Sequence, residues 1–216
     1  DYGKLCWFIN VEGKRYTYDY NENGKLNEII TPEGKSAIKN EYDGADRVVK
    51  QIIPNGAVVE LRYDDVNNRT YMKEENGNMI IFESDKRQRN IKTIYEDGEE
   101  CFAYNERNQK TLYTDKKGNT TRYSYDNRGN LTKVIDALGQ KYNMVYDNSD
   151  HMISMKFPNG STIKNIYNDK GKLVETINRS GYSIKMDYQS DGNMSRVVLP
   201  DCSEWNFLYN SDGNVI

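Results

Sequence analysis

The sequence predicts an all-β protein built from tandem β-hairpin repeats of about 21 residues. Three observations support this prediction: tyrosines recur at a nearly constant interval, glycines follow them at a fixed offset, and apolar and polar residues alternate in between. Self-similarity with a period of roughly 20 to 50 residues is typical of repeat architectures. Because a single sheet layer cannot bury a face alone, the predicted fold is a long, curled antiparallel sheet.

The first repeated position is a tyrosine that is followed by Asp or Asn in nearly every repeat. Successive members are 20 to 22 residues apart, and Ser84 fills the one place without tyrosine. Asp and Asn favour turns because their side chains bond the backbone just ahead, so this position is predicted to end a strand before a turn. Its tyrosines are Tyr20, Tyr42, Tyr63, Tyr104, Tyr125, Tyr146, Tyr167, Tyr188 and Tyr209.

The second repeated position lies fourteen residues after the first and holds glycine, with Cys202 in the last repeat. All four prolines of the chain lie two residues before a member of this position. Pro fixes the backbone angle of a turn and Gly accepts positive φ, so a second turn is predicted here. Its glycines are Gly34, Gly56, Gly77, Gly98, Gly118, Gly139, Gly160 and Gly181.

Two turns in each repeat leave room for two strands of roughly six to eight residues. The strand that enters the tyrosine alternates cleanly, as in 142–146, where every second residue is apolar or aromatic and shares a predicted face. The returning strand at 131–135 alternates less cleanly. There, Leu131 and Ile135 are predicted on one face and Val134 on the other, which predicts either a β-bulge or a sheet with both faces partly covered.

The repeats predict one array over residues 1–216, with about ten repeats, that begins and ends inside a repeat. Residues 3–5 match residues 24–26, and the sequence ends shortly after Gly213. No apolar run approaches the roughly 20 residues that span a bilayer, so no membrane span is expected. The net charge of −3 comes from interspersed charges, which argues against nucleic acid as a main partner.

No set of side chains in the sequence points to catalysis or to a bound metal or cofactor. His151 is the single histidine and lies in a predicted turn. Cys6, Cys101 and Cys202 are too far apart for a disulfide framework or a zinc site and are predicted to be buried or half-buried thiols. Asn or Gln replaces the Asp after the tyrosine in half of the repeats, which favours turn formation over calcium binding. We therefore predict a protein that is not an enzyme and has no catalytic, metal or cofactor-binding residues.

Two segments resemble the YD repeat of the Rhs family. They are residues 125–132, Tyr-Asp-Asn-Arg-Gly-Asn-Leu-Thr, and residues 167–173, Tyr-Asn-Asp-Lys-Gly-Lys-Leu. The resemblance covers the whole chain and is strongest over 104–216. It implies a β-strip wound into a hollow spiral shell, as in bacterial Rhs polymorphic toxins, wall-associated proteins, Tc-toxin shells and teneurins. The self-cleaving motif of the family begins with Asp-Pro, and this chain contains no Asp-Pro. The resemblance therefore implies a segment of the shell wall and not the self-cleaving protease.

By this resemblance, the chain would be a non-catalytic structural segment of a shell that encloses and delivers a C-terminal toxin. Its partners would be the rest of the shell and the enclosed C-terminal domain, and its location would be secreted or at the cell surface of a bacterium. The alternative is a cell-surface adhesive or glycan-binding module, in which the tyrosines would stack on sugar rings. The tyrosines lie in phase with apolar residues on one strand face, which favours packing over glycan binding.

Overall fold

The computed structural model describes residues 3–216. Twenty β-strands and no helix occur among these residues, so the all-β prediction is confirmed. The described part of the chain therefore contains no helix that could cross a membrane. Two compact units divide the chain: the first runs up to Phe102 and includes Asp115–Gly118, and the second comprises Ala103–Thr114 and Asn119–Ile216. The prediction of one continuous repeat array remains a prediction.

In the first unit, each strand pairs antiparallel with the strand that follows it in the chain. Strands that enter the tyrosine position have six or seven residues, and the returning strands have five or six, except β1 with three. The strands are β1 (Trp7–Ile9), β2 (Arg15–Tyr20), β3 (Leu26–Ile30), β4 (Ser36–Tyr42), β5 (Val48–Ile52), β6 (Val58–Asp64), β7 (Arg69–Lys73), β8 (Met79–Ser84), β9 (Asn90–Tyr95) and most of β10 (Gly98–Tyr104).

The second unit repeats the same antiparallel order. Its returning strands β13, β15, β17 and β19 have five residues each, so they are shorter than predicted. The strands are β11 (Lys110–Thr114), β12 (Thr120–Tyr125), β13 (Leu131–Ile135), β14 (Lys141–Tyr146), β15 (Met152–Lys156), β16 (Thr162–Tyr167), β17 (Leu173–Ile177), β18 (Ser183–Tyr188), β19 (Met194–Val198) and β20 (Glu204–Asn206).

The two turns of a regular repeat have the same hydrogen-bond pattern. In the turn after β12, the Asp126 N–H donates to the Asn130 carbonyl oxygen at 3.0 Å, and the Gly129 N–H donates to the Asp126 carbonyl oxygen at 3.2 Å. In the turn after β13, the Asp136 N–H donates to the Gln140 carbonyl oxygen, also at 3.0 Å. Such three-residue loops combine a type I turn with a last residue at positive φ. We call the loop that follows the repeated tyrosine the tyrosine turn. We call the loop that ends with the repeated glycine the glycine turn.

Positive φ at the last loop residue explains the glycines of both turns. Gly139 has φ 75° and Gly160 has φ 82°, and a Cβ built at either position would meet no atom within 4 Å. The demand for glycine therefore comes from the backbone and not from lack of space. Outside glycine, Asn and Asp tolerate this region best. The non-glycine residues at positive φ are Asp46, Asn68, Gln88, Asn108, Asp150 and Cys202.

Two turns of the first unit depart from this pattern. Between β6 and β7, Asp64 pairs directly with Arg69, which leaves a four-residue loop. Between β9 and β10, Tyr95 pairs with Gly98, which leaves a loop of two residues. This shorter loop accounts for the single spacing of 20 residues in the tyrosine series, which lies between Ser84 and the next member.

A β-bulge lies next to the tyrosine turn in most repeats, as the sequence predicted. Tyr125 pairs with Leu131, but the next pair is shifted by one residue, so Thr132 is the extra residue. Directly paired residues share a sheet face, and the bulge therefore places Leu131 and Val134 on the face of the tyrosine and Ile135 on the opposite face. The predicted assignment of Leu131 with Ile135 was wrong, because an extra residue reverses the alternation beyond it.

The face that carries the tyrosines holds most of the apolar side chains, yet it is only partly buried. Among the described residues, Met144 and Met186 are the hydrophobic residues below a tenth exposure, at 7 % and 9 %. The accessible surface is 14645 Å². A compact protein of this mass exposes about 10,000 Å². The larger observed area agrees with an apolar face that is only partly buried.

The cysteines differ in part from expectation. Cys101 is half-buried, as predicted, whereas Cys6 and Cys202 are exposed, so the prediction was wrong for these two. Cys202 is exposed because it takes the positive-φ place of a glycine turn, with φ 65°.

Replacing Gly139 by Val should lower the free energy of unfolding by more than about 1 kcal/mol, because a β-branched side chain is penalised at positive φ. Gly44→Val is the matched control: Gly44 is also an exposed turn glycine with open space around it, but its φ is not positive. Urea unfolding of both variants measures the difference. Equal losses in the two variants would contradict the turn assignment.

Candidate functional site

The repeated tyrosines bond to the strand that precedes them. The Tyr125 hydroxyl donates to the Lys110 carbonyl oxygen at 2.8 Å, and the Tyr146 hydroxyl donates to the Leu131 carbonyl oxygen at 3.0 Å. Each acceptor lies fifteen residues earlier, at the start of the neighbouring strand. The same contact, at a separation of fifteen or sixteen residues, is made by Tyr20, Tyr42, Tyr63, Tyr167, Tyr188 and Tyr209.

Several of the repeated tyrosine rings are covered by a side chain. In each case this side chain comes from the tyrosine turn of the preceding repeat. The Arg47 guanidinium lies 4.2 Å from the centre of the Tyr63 ring. The His151 imidazole stacks on the Tyr167 ring, with 4.5 Å between ring centres and 18° between planes. A cation over an aromatic face is attractive, so the covering residue adds to the contact made by the hydroxyl. Lysine takes the same place in the pairs Lys4–Tyr20 and Lys172–Tyr188.

The Asp that begins a tyrosine turn holds both the loop and the covering residue. The Asp43 carboxylate accepts the backbone N–H groups of Ala45 at 2.9 Å and Arg47 at 3.0 Å, and it also accepts the Arg47 side chain at 3.0 Å. The backbone N–H of Arg47 is the main cause of a lowered pKa at Asp43, and the Arg47 guanidinium lowers it further. Arg47 also donates to Asp65 in the following loop at 2.6 Å.

His151 takes the place that Arg47 has in its own repeat. Its Nδ1 lies 3.0 Å from an Asp147 carboxylate oxygen, and its ring covers Tyr167. The single histidine is therefore part of a tyrosine turn. Within residues 3–216, no group of three or more His, Cys, Asp and Glu residues is arranged to hold a metal ion.

Neighbouring tyrosine turns also bond to each other within each unit. In the second unit, Asn130 Nδ2 donates to the Asp150 carboxylate at 2.6 Å, and the Arg128 guanidinium donates to the Asp147 carbonyl oxygen at 2.6 Å. In the first unit, the Asn23 amide donates to Asp46 at 2.7 Å. Consecutive repeats are thus connected by side chains as well as by the backbone pairing of strands.

A polar pair replaces the apolar pair of the tyrosine face in two repeats. Thr176 donates to the Asn165 side-chain oxygen at 2.9 Å, at the place where Met186 and Val197 pair two strands further on. Asn40, only 7 % exposed, accepts a hydrogen bond from Gln51 at 3.0 Å. Both asparagine amides also donate to backbone carbonyls, so the buried Asn40 and the half-buried Asn165 have hydrogen-bond partners within the sheet.

The structure places most of the predicted tyrosines at or next to the ends of strands, and most of the predicted glycines in turns. The exceptions are Tyr209, which forms an isolated bridge beyond β20, and Gly98, which begins β10. Ser84, in the place without tyrosine, ends β8 in the same way. Sequence reasoning missed the residue five positions after the tyrosine. In several repeats this residue covers the next ring or binds the Asx residue of its own turn, as Arg47, Asn130 and His151 do. The sequence could have identified this position, because it holds a polar residue in every repeat: Lys25, Arg47, Asn68, Arg89, Gln109, Asn130, His151, Lys172, Asn193 and Asn214.

Part of the chain is similar in sequence to a known protein family. Residues 104–141 match the family model described as RHS Repeat. The matched segment is therefore similar to the RHS repeat. The matched segment begins at Tyr104 and includes Tyr125, its tyrosine turn and the following glycine turn. The resemblance to the Rhs/YD-repeat family that the sequence predicted is confirmed. No curated protein sequence matches the chain.

Solved structures show the same fold over nearly the whole of this chain. The crystal structure of TcdB2-TccC3 without its hypervariable C-terminal region superposes on 94% of this chain with a TM-score of 0.65 and 12% identity. The Photorhabdus luminescens Tc holotoxin pore covers 97% with a TM-score of 0.52 and 14% identity. This chain spans 14% and 13% of those chains, respectively. At such identities the likeness concerns the fold.

Removing one tyrosine hydroxyl tests its structural contribution. Tyr146→Phe should lower the free energy of unfolding by about 1 kcal/mol, because it deletes one hydrogen bond and leaves the Leu131 carbonyl without that donor. Tyr182→Phe is the control, since Tyr182 is 61 % exposed and lies outside the repeated position. Urea denaturation should show less than half of the Tyr146 effect in the control. If Tyr146→Phe left the free energy of unfolding unchanged, the ring and not the hydroxyl would stabilise the fold, and the prediction would be wrong.

Alkaline pH should destabilise the fold through the same tyrosines. Burial raises the pKa of Tyr63, Tyr125 and Tyr146 above the ordinary value of 10.0. A raised folded-state pKa contributes stability that is fully present below the unfolded value and is lost as pH rises through the folded value. Urea unfolding between pH 8 and pH 11 measures this loss. The triple Tyr→Phe variant should show a weaker pH dependence, and an unchanged dependence would contradict the assignment.

Proposed function

We propose that this chain is a non-catalytic wall segment of a YD-repeat shell that encloses and delivers a C-terminal toxin in a secreted or surface Rhs-type protein. The observation that carries the proposal is the superposition of 94% of the chain on TcdB2-TccC3, together with the RHS repeat over residues 104–141. Its partners are then the rest of the same shell and the enclosed domain.

The contacts within the repeats support a structural role. The tyrosine hydroxyls, the residues that cover the rings and the Asp or Asn side chains of the tyrosine turns bind one another or the backbone. Such contacts hold a thin layer together without requiring a second layer. They also count against the adhesive or glycan-binding alternative, because the polar tips that would bind a sugar are occupied at the repeated positions.

Limited proteolysis of the complete gene product tests the proposal. The C-terminal domain that the proposal places inside the shell should resist protease within the intact protein and should become sensitive when mild urea opens the repeats. The same region expressed alone is the control and should be degraded at once. Equal sensitivity in both contexts would overturn the proposed enclosure, as would a wall anchor in place of a toxin domain.

A further inference from the structure

The sheet face opposite the repeated tyrosines carries alternating charges in the first unit. We call this side of each unit the polar face. Lys50 pairs across strands with Glu41 and with Glu60, and Lys73 continues the series beside Glu60. The ion-pair distances are 3.2 Å for Lys50–Glu41 and 3.3 Å for Lys73–Glu60. Each cation on this part of the face thus has a carboxylate next to it.

The polar face of the second unit loses this alternation over β12 to β16. These five strands contain no Asp or Glu in the sequence. Their residues on this face include five cations, which we call the cationic patch: Arg122, Lys133, Lys141, Lys156 and Lys164.

The strand register brings these cations together on one surface. Asn143 pairs with Lys133 on one side and with Lys156 on the other, so the two lysines are two strand spacings apart, or about 10 Å. Lys164 pairs with the residue two before Lys156 in β15. Arg122 and Lys141 both pair with the same residue of β13. Across four strand spacings the patch is about 19 Å wide.

Apolar side chains lie among these cations and are exposed. Val145 is 52% exposed and Ile166 is 46% exposed, and both share the face of the lysines. Arg122, Lys141, Lys156 and Lys164 are also exposed, and Lys133 is half-buried. The patch ends at β17, where Glu175 pairs with Ile166. Beyond it, Arg196 is again ion-paired, with Asp187 and Glu204.

We propose that the cationic patch is a docking surface for an acidic polypeptide whose carboxylates alternate with aliphatic side chains. A face with cations and no carboxylates attracts anions and repels other cations. Val145 and Ile166 would gain buried area against aliphatic side chains, whereas a phosphate backbone would gain nothing from them. The patch contains no aromatic side chain to stack on bases or to enter a membrane interface. This inference does not depend on the proposed shell function.

Fluorescence anisotropy with the whole 216-residue chain tests the proposal. The probe is a labelled ten-residue peptide of alternating Glu and Val in low salt. The patch variant carries Lys133→Gln, Lys156→Gln and Lys164→Gln, and the matched control carries Lys50→Gln, Lys73→Gln and Lys92→Gln. The control removes the same number of cations from positions that are ion-paired in the first unit.

The patch variant should bind the peptide about tenfold more weakly, because each exposed charge pair contributes a few-fold. The control variant should change binding less than twofold. Val145→Ser with Ile166→Ser should weaken binding to the Glu–Val peptide but not to polyglutamate. Circular dichroism and urea unfolding verify that all variants fold, and Lys156→Gln alone replaces the triple variant if that one does not.

Three outcomes would overturn the proposal. The first is no peptide binding by the unmodified chain, and the second is an equal loss in the patch and control variants. The third is tighter binding to duplex DNA or to phosphatidylserine vesicles than to the peptide, lost in the patch variant, which would assign the surface to phosphate groups instead.

Discussion

The hydrogen bond from a repeated tyrosine hydroxyl to a carbonyl about fifteen residues earlier, which eight of these tyrosines make, is the contact on which the remaining structure depends. A one-layer sheet buries too little apolar surface to be held by a core, and only two hydrophobic residues among those described fall below a tenth exposure. The tyrosine compensates by joining a hydroxyl contact, ring packing and a covering side chain at one place. The same local contact therefore stabilises the fold in eight of the repeats.

The length of the repeat follows from its parts. A strand of six or seven residues, a three-residue loop, a strand of five and a second three-residue loop, with the loop-flanking residues, give the observed period. The bulge next to the tyrosine turn then returns the apolar residues of the shorter strand to the tyrosine face. Where the loop between β9 and β10 is shorter, the period shortens with it, because nothing else in the repeat stretches to compensate.

Much of this could be predicted from the sequence, for identifiable reasons. The positive φ of Gly139 and the strand end at Tyr125 follow from local backbone preference, which depends on the residue types at and next to each position. The face assignment of Ile135 could not be predicted, because one extra residue in the bulge reverses it and no residue type marks that position. The cationic patch was also hidden: its lysines are interspersed along the chain and are gathered only by the pairing register.

The polar pair Asn165–Thr176, in the place of Met186 and Val197, has a consequence for how such a sequence changes over evolutionary time. A globular core rarely accepts this exchange, since a buried polar group there lacks partners. Here the adjacent strand offers a carbonyl to Asn165, so the exchange leaves no group unsatisfied. Mutations at these positions can accumulate as long as the turns and tyrosines persist. Such tolerance allows the same fold to occur at 12% identity, as the comparison with TcdB2-TccC3 shows.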